Sequence, residues 1–264
     1  MIIILSPAKT LEINETLNNL PMTEPQFMDD AELLINELRK YDEYSLSKLM
    51  KTSPKLTSLN KERFEQWEKA LDNAFICVGA FKGEAYKGLD VGSYSMEDMF
   101  YANDHLRILS GLYGVLRPFD GINFYRLEMG TKLNFDKYKN LYDFWQDKIA
   151  RNIYGEVIKN NDRTLINLAS NEYFKSLENI KDFEDINIIT PIFKENKNGE
   201  YKVISTKAKR ARGLMTSFII KNKITNIDEL KKFNLEGYEY DEDMSKENEI
   251  VFTRENGWED RELH

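Results

Sequence analysis

The stretch MIIILSPAK, residues 1–9, begins with bulky aliphatic side chains and stops abruptly at Ser6-Pro7. A short apolar run bounded by a turn signal is typical of a buried strand. The stretch TLINLAS, residues 164–170, has the same character. We therefore expect both stretches to form strands in the interior of the molecule.

The chain alternates between further strand-like and helical patterns. FICVGAF, residues 75–81, is a third candidate strand. DDAELLINELRKY (residues 29–41) and YDFWQDKIARNIYGEVIK (residues 142–159) instead repeat apolar residues at helical spacing. Strands separated by helices predict an α/β fold, with a mixed α+β arrangement as the alternative.

The stretch around Asn198-Gly199 has a different signature. Two β-like runs flank this dipeptide within residues 188–205, and Asn-Gly is a strong signal for a hairpin turn. We expect a helix to follow over about residues 206–222. No internal repeat or Pro/Gly-rich linker interrupts the sequence, so we expect one compact domain over residues 1–264.

The composition limits the classes of protein to which this chain can belong. Its 264 residues are 41% hydrophobic and 31% charged, which indicates a folded chain rather than a disordered one. No apolar stretch approaches the roughly 18 to 20 residues of a membrane span, and no signal-peptide pattern follows Met1. We therefore expect a cytoplasmic protein with no membrane partner.

Side chains that commonly bind metals are scarce. Cys77 is the one cysteine, and it lies in an apolar run where a thiol usually acts as a small hydrophobic side chain. His105 and His264 are the two histidines, and neither H-E-x-x-H nor C-x-x-C occurs. The sequence predicts no metal site and no cofactor, which argues against an iron-sequestering protein.

The net charge of −8 hides an uneven distribution of charge. Residues 201–223 contain seven cations and no acids, whereas residues 236–250 contain seven acids and one lysine. Four of the cations crowd the first turns of the predicted helix: Lys207, Lys209, Arg210 and Arg212. Each opposes the helix dipole by roughly 0.3 to 1 kcal/mol when exposed, and an anionic ligand at this end would reverse the penalty. The alternative is a solvated basic helix end, and the acidic stretch is interpreted as a solvated loop that shields the basic face.

The stretch LSGLYGVLRP, residues 109–118, places Gly111 and Gly114 between two apolar runs. Three arginines are spaced around this turn: Arg107, Arg117 and Arg126. Glycines allow backbone N–H groups to approach an anion that nearby cations then hold. The stretch is interpreted either as a phosphate-binding turn or as a tight connection between two helices.

Three of the predicted strands run into loops that hold small polar and basic residues. If these strands are parallel, their carboxyl ends open on one edge, where α/β sheets bind ligands. The candidate site residues in the loops are Ser6, Lys9, Lys82, Tyr86, Asn171 and Lys175. Polar residues after strands also serve as helix caps, which is the alternative. Ser6 and Lys9 fit the S-x-x-K motif of serine acyl-enzymes, but the companion motifs S-D-N and K-T-G do not occur.

Six longer blocks of the sequence carry a family resemblance. They are LSPAKT (5–10), FKGEAYKGL (81–89), HLRILSGLYGVLRPFDGINFYRLEMG (105–130), LINLASNEYFKS (165–176), KAKRARGLM (207–215) and FNLEGYEYDED (233–243). In this order they resemble the signature blocks of the bacterial YaaA family of peroxide stress proteins. The resemblance implies a cytoplasmic protein that limits peroxide damage and restrains free intracellular iron. It also implies a fold peculiar to the family, with a helix-hairpin-helix element over about residues 97–130 and a positively charged cleft that binds DNA.

The leading hypothesis is a stress-protective protein that grips the phosphates of duplex DNA without strong sequence choice. The resemblance places the hairpin at residues 109–116. The residues expected to contact DNA are Arg107, Gly111, Gly114, Arg117, Arg126, Lys207, Lys209, Arg210 and Arg212. The alternative is an enzyme that acts on a nucleotide or a nucleic-acid base in the same cleft, with the six loop residues around it.

Overall fold

Residues 1–17, 19–255 and 257–258 are described in the computed structural model of the chain. Within them lie twelve strands, numbered β1–β12 in chain order: Ile2–Leu5, Thr10–Leu11, Phe75–Ile76, Phe81–Lys82, Leu106–Ser110, Gly114–Leu116, Gly121–Ile122, Thr164–Leu168, Asn187–Lys197, Glu200–Lys202, Tyr238–Tyr240 and Glu249–Arg254. The α-helices of the same residues, α1–α9, are Met28–Arg39, Glu43–Met50, Pro54–Gln66, Cys77–Ala80, Glu84–Leu89, Met96–His105, Leu141–Val157, Asn171–Phe174 and Ser205–Lys221. Short 3-10 helices cover Glu15–Leu17, Val91–Ser93, Lys175–Asp182, Ile227–Lys232 and Leu235–Gly237.

The centre of the fold is an eight-stranded, mostly parallel sheet. Its strands follow the order β11-β12-β9-β8-β1-β5-β6, and β10 pairs with β9 outside this path. The five strands from β12 to β5 are parallel, whereas β11, β6 and β10 pair antiparallel with their neighbours. The predicted α/β class is therefore correct, with antiparallel strands added at the margins.

The strand β1 lies at the middle of the sheet and is buried on both faces. Ile4 is in register with Asn167 of β8 on one side and with Arg107 of β5 on the other. Each residue of Ile2–Leu5 is at most 2% exposed. A strand in this environment is aliphatic without alternation, because both of its faces are covered. Helices α7 and α9 both pack against it.

The helices and the hairpin confirm most of the local predictions. Helices α1, α7 and α9 occupy the three stretches in which apolar residues recur at helical spacing. Asn198 and Gly199 connect β9 to β10, and both have positive φ angles of 57° and 86°. Such angles at both positions are what a tight two-residue hairpin turn requires.

The prediction of one strand over residues 75–81 is wrong. Two short strands, β3 and β4, are separated there by the single helical turn Cys77–Ala80. They belong to separate two-stranded sheets, β3 with β7 and β4 with β2. The segment is buried, so its apolar character indicated the environment but not the conformation.

The helix-hairpin-helix prediction also needs correction. Residues 97–130, all of which are described, contain the helix α6 and then the strands β5, β6 and β7. The glycine turn therefore joins two antiparallel strands, with Ser110 in register with Gly114. The runs on either side of the turn, Leu106–Ser110 and Gly114–Leu116, are fully buried and pair with each other.

The described part of the chain has no helix that is both long and apolar enough to cross a membrane. The prediction of one domain over residues 1–264 stays a prediction, since residues 259–264 lie outside the described residues.

Candidate functional site

The topology of the sheet creates a crevice between β1 and β8. The next strand of this sheet after β1 is β5, on one side of β1, whereas the next strand after β8 is β9, in the opposite direction along the sheet. The loops that follow β1 and β8 therefore leave the sheet in different directions. In open parallel sheets the ligand crevice lies outside the carboxyl ends of the strands at such a switch point.

Ser6 and Ser170 meet at this switch point. Ser6 Oγ accepts a hydrogen bond from the backbone N–H of Ser170 at 2.8 Å and lies 3.3 Å from Ser170 Oγ. Tyr86 Oη donates to the backbone carbonyl of Ser6 at 3.1 Å. Burial raises the pKa of Tyr86 well above its ordinary value, so the phenol is a neutral donor. Two of the six candidate residues, Ser6 and Tyr86, are thus brought together.

Two of the predicted lysines flank the same edge of the sheet. Lys82 is in register with Thr10 across the β2–β4 pair, which ties its loop to the loop after β1. The Lys82 side chain is half-buried and has no hydrogen bond or ion pair among the described residues. Lys9 Nζ instead pairs with Glu128 at 2.7 Å.

Asn171 and Lys175 are less central than predicted. Asn171 is exposed at the first position of α8, directly after Ser170. The Lys175 ammonium lies 5.0 Å from the centre of the Tyr142 ring. Lys175 and Tyr142 line a cavity of about 330 Å³ beside α7, and none of the other candidate residues lines it.

Arg107 has a structural environment instead of the predicted DNA-facing one. It is 6% exposed, and its guanidinium pairs with Glu156 from α7. The same guanidinium donates to the backbone carbonyls of Asn103 at 2.9 Å and Leu106 at 2.6 Å. A guanidinium with these partners is occupied within the protein and cannot face a phosphate.

Gly111 and Gly114 are also buried, and the phosphate-binding turn does not fit this geometry. A Cβ atom at Gly111 would lie 2.2 Å from the backbone oxygen of Leu127. Gly114 has a φ of +70°, and a Cβ there would lie 2.8 Å from the Trp145 ring. Trp145 Nε1 donates to the Gly111 carbonyl at 2.9 Å. The glycines therefore permit close packing, and their amides do not face solvent.

The other two arginines around the turn differ from each other. Arg117 is exposed, and its backbone N–H donates to Asp120 at 2.7 Å. Arg126 is half-buried and pairs with Glu128 at 2.9 Å. Burial raises the pKa of Glu128, but the bonds from Lys9 and Arg126 outweigh it and lower the pKa overall. Glu128 thus holds two of the predicted cations.

The cationic start of α9 divides into paired and unpaired side chains. Arg210 Nε donates to both carboxylate oxygens of Glu236, at 2.7 and 2.9 Å. The acidic stretch predicted to shield the basic face therefore contacts it through Glu236. Lys209 is exposed, and Arg212 is half-buried. Neither the Lys209 side chain nor the Arg212 side chain has a hydrogen bond or ion pair with any described residue.

Packing between α5 and α9 brings the start of α9 toward the switch point. The backbone of Gly213 packs against Ala85, the residue before Tyr86. Lys87 has the largest effect in lowering the pKa of Glu84, and the charges of Arg210 and Lys207 lower it further. The beginnings of the two helices are therefore close together.

Sequence reasoning missed three residues in this region. Ser170 was included only as part of a loop, although a serine directly after a buried strand was a usable signal. Glu128 was not identified, because its partners Lys9 and Arg126 meet it only in the folded chain. Arg63, near Arg126, lies on α3 without any local motif.

The histidine and the cysteine occupy structural positions. His105 Nδ1 lies 2.8 Å from the Met1 carbonyl, and Cys77 Sγ donates to the carbonyl of Arg117 at 3.0 Å. Burial raises the pKa of the Cys77 thiol, which keeps it protonated. His264 lies outside the described residues. Among the residues that are described, no cluster of three or more His, Cys, Asp or Glu side chains could hold a metal ion.

Comparison with known proteins identifies relatives over almost the full chain. Residues 1–244 match the sequence model of the family described as peroxide stress protein YaaA. The UPF0246 protein of Clostridium botulinum strain Eklund 17B is 60% identical over 257 residues, which cover 97% of this chain and 100% of that protein. The UPF0246 protein of Clostridium beijerinckii is 58% identical over 255 residues, 97% of this chain and 98% of its own length. For the UPF0246 protein of Aliivibrio fischeri strain MJ11 the identity is 48% over 257 residues, with 97% and 98% covered. The matched residues include both loops of the switch point and the cationic start of α9, and on this extent of identity the chain belongs to the YaaA family of peroxide stress proteins.

Proposed function

We propose that this protein binds the phosphate backbone of duplex DNA during peroxide stress, without strong sequence preference. The proposed surface is named the cationic edge and consists of Lys82, Lys209 and Arg212. Binding to DNA in the cytoplasm would cover the backbone and limit peroxide damage to it.

The observation that carries the proposal is the partial burial of the Arg212 side chain without a hydrogen-bonding or ionic partner among the described residues. Burial lowers the pKa of the guanidinium, and no neighbouring acid offsets the effect. Partial burial of a charge without a partner is costly, and the protein would recover this free energy on meeting an anion.

The surroundings of Arg212 favour an extended anion over a single small one. Lys209 lies one turn before Arg212 on the same helix, and residues 201–223 carry no acid. Lys82 lies two residues before Glu84, whose pKa responds to cations at the start of α9. Several lysine and arginine side chains without paired acids suit a polyanion, since each phosphate contact releases condensed counterions.

The residues of the cationic edge differ from the DNA-contacting residues that the sequence predicts. Arg107, Gly111 and Gly114 are excluded because they are buried within β5, β6 and the turn that joins them. Arg210 is held by Glu236, so it contributes charge near the surface but is not proposed as a direct contact. Arg117 stays a candidate at the periphery, since it is exposed.

The test is fluorescence anisotropy of labelled duplexes of two unrelated sequences with the Arg212→Gln variant. We expect the affinity for both duplexes to fall about five- to tenfold, because one charge-assisted phosphate contact is lost. Arg151→Gln is the matched control, since Arg151 is 69% exposed and lies on α7, paired with Asp147 at 3.6 Å. Unchanged affinity in a folded Arg212→Gln variant would contradict the proposal.

The restraint on free intracellular iron is proposed on the family resemblance alone. We expect free iron to rise after peroxide treatment in cells that lack this protein and to return to normal when the wild-type protein is supplied. Electron paramagnetic resonance of chelated iron in whole cells measures this directly. Equal iron in the two strains would remove iron control from the proposed function.

A second candidate function is supported by the bonds between Ser6, Ser170 and Tyr86. These groups converge at the switch point where α/β proteins bind nucleotides. An enzyme acting on a nucleotide or a nucleic-acid base would place its substrate there. The discriminating observation is a Ser6→Ala variant that loses binding of a mononucleotide while it retains duplex affinity.

A further inference from the structure

Two arginines from distant parts of the chain lie near each other, and one of them packs against Phe124. Arg63 projects from α3, and its guanidinium lies 5.1 Å from the centre of the Phe124 ring. Arg126 follows two residues after that phenylalanine. Desolvation is the main cause that lowers the pKa of Arg63, and the charge of Arg126 is the next. The two guanidinium groups are thus close enough to repel each other.

The hydrogen-bonding capacity of this pair is unsatisfied by the described residues. Arg126 Nε is buried and has no acceptor there, although Nη2 of the same side chain pairs with Glu128 at 2.9 Å. The Arg63 side chain has no hydrogen bond or ion pair within the described chain. Buried polar groups in proteins nearly always have partners, so an orphaned guanidinium nitrogen points to an absent acceptor.

The acids in the neighbourhood do not neutralise the pair. Glu62 adjoins Arg63 and raises its pKa only as a lesser effect. Glu128 is shared between Arg126 and Lys9, so one carboxylate faces two cations. The cluster of Lys9, Arg63, Arg126, Glu62 and Glu128 therefore retains an excess of positive charge.

The segments that carry the two arginines are held in place by hydrogen bonds and by aromatic packing. The carboxyl end of α3 is held by Arg39, whose Nε donates to the carbonyl of Phe64 at 2.8 Å. Phe124 packs against Phe75, with ring centres 4.7 Å apart. Rigid support of this kind lets a site hold two like charges ready for a ligand, at a cost that the ligand repays.

We infer that Arg63 and Arg126, neither of which belongs to the cationic edge, form a binding site for a phosphate group. A tetrahedral phosphate offers several acceptor oxygens to two planar guanidinium forks, which is the geometry that arginine recognises best. The source of the phosphate is either the backbone of DNA or a free phosphate or nucleotide. The inference does not rest on the proposed function, because a free phosphate can occupy the site without any DNA.

The first experiment measures thermal unfolding in inorganic phosphate against sodium chloride at matched ionic strength. At a phosphate concentration about tenfold above Kd, the midpoint should rise by about 2 to 4 °C for a chain of this length. Arg63→Gln and Arg126→Gln should each lose this rise. Arg151→Gln, which makes the same change of charge at an exposed position of α7, should keep it.

Stability without phosphate separates a binding role from a structural one. Removing one of two repelling cations should leave the midpoint of Arg63→Gln in chloride equal to that of the wild type or above it. A lower midpoint in chloride together with a normal response to phosphate would overturn the inference. So would a phosphate response that both arginine variants retain or that Arg151→Gln loses equally. If Arg126→Gln does not fold, Arg63→Gln with Arg63→Lys as the conservative variant carries the test, and Arg63→Lys should keep part of the response.

The second experiment identifies the source of the phosphate. If Arg63→Gln weakens both the phosphate response and duplex affinity, and phosphate competes with the duplex, the site holds the DNA backbone. If only the phosphate response is lost, the site holds a free phosphate or nucleotide. Normal duplex affinity in Arg212→Gln would contradict the proposed cationic edge. It would not change the expected result of the phosphate experiment on Arg63 and Arg126.

Discussion

Ser6 Oγ accepts a hydrogen bond from the backbone N–H of Ser170, and this bond joins the loops that follow β1 and β8. Ser6→Ala removes the acceptor and leaves the N–H without it, so we expect the free energy of unfolding to fall by about 1 kcal/mol. Urea denaturation measures the change. Ser58→Ala, at an exposed position of α3, should change the stability by less than about 0.5 kcal/mol. Equal stability of Ser6→Ala and the wild type would show that the bond does not hold the loops together.

Gly114→Ala tests the structural role of the glycine turn. The φ of +70° and the Trp145 ring within 3.0 Å of the added Cβ both oppose the substitution. We expect a loss of about 1 to 3 kcal/mol in the free energy of unfolding. Gly155→Ala is the control, because an added Cβ there would have no atom within 4 Å apart from its chain neighbours and the backbone of helix α7 itself. The control should gain roughly 0.5 to 1 kcal/mol. A folded Gly114→Ala variant with normal stability but weaker DNA binding would restore the phosphate-binding interpretation.

Arg107→Gln should destabilise the protein without a specific effect on DNA. The substitution leaves Glu156 without its buried partner and removes bonds to two backbone carbonyls. Breaking a buried ion pair of this kind costs about 3 kcal/mol or more. Denaturation followed by intrinsic fluorescence measures this cost, and Arg151→Gln should cost less than about 1 kcal/mol. Normal stability combined with lost duplex affinity would return Arg107 to the DNA contacts.

Asp120 should make the stability depend on pH. Desolvation raises the pKa of its carboxyl from 3.8 to about 6, against the opposing bond from Thr23. Since the folded state binds this proton more tightly than the unfolded chain, the carboxyl's contribution to stability rises as the pH falls from 7 to 5. The gain is about 1 kcal/mol over that range. Asp120→Asn removes the titration, so the stability of the wild type relative to this variant should increase by that amount. A constant difference between the two proteins across this range would contradict the raised pKa.

The parts of the fold that were predictable depend on local signals. The aliphatic run Ile2–Leu5 and the turn residues Asn198 and Gly199 each restrict the backbone strongly by themselves. Helix α9 was predictable because its apolar stripe recurs at helical spacing over 17 residues. The meeting of Ser6 with Ser170 also followed in outline, since parallel strands bring the ends of their loops to one edge.

The parts that were not predictable depend on partners distant in sequence. Two apolar runs around Gly111 suit a helical connection as well as a β-hairpin, and the buried environment is supplied by Trp145 from α7. Arg107 resembles a surface cation until Glu156, 49 residues away, is placed beside it. The conformation of residues 75–81 was not predictable for a similar reason. The apolar residues of this segment reflect its burial and are compatible with both a strand and a helical turn. Charge patterns therefore indicated where cations gather, but only the fold separates paired cations from unpaired ones.

The salt dependence of DNA binding tests the central claim most directly. The affinity for one duplex is measured over a range of salt concentrations for the wild type and for the triple variant Lys82→Gln, Lys209→Gln, Arg212→Gln. If each side chain neutralises one phosphate, the slope of log K against log salt should become shallower by about 2 to 3 units, since each contact releases roughly 0.9 counterion.

The control for this measurement is a triple variant that removes three exposed lysines already paired with neighbouring glutamates: Lys40, Lys181 and Lys232. It makes the same change in net charge, and its slope should match that of the wild type. A slope that becomes shallower only in the variant of the cationic edge is the predicted result. An unchanged slope in a folded variant of the cationic edge, or an equal change in the control, would contradict the claim that this surface grips the DNA backbone.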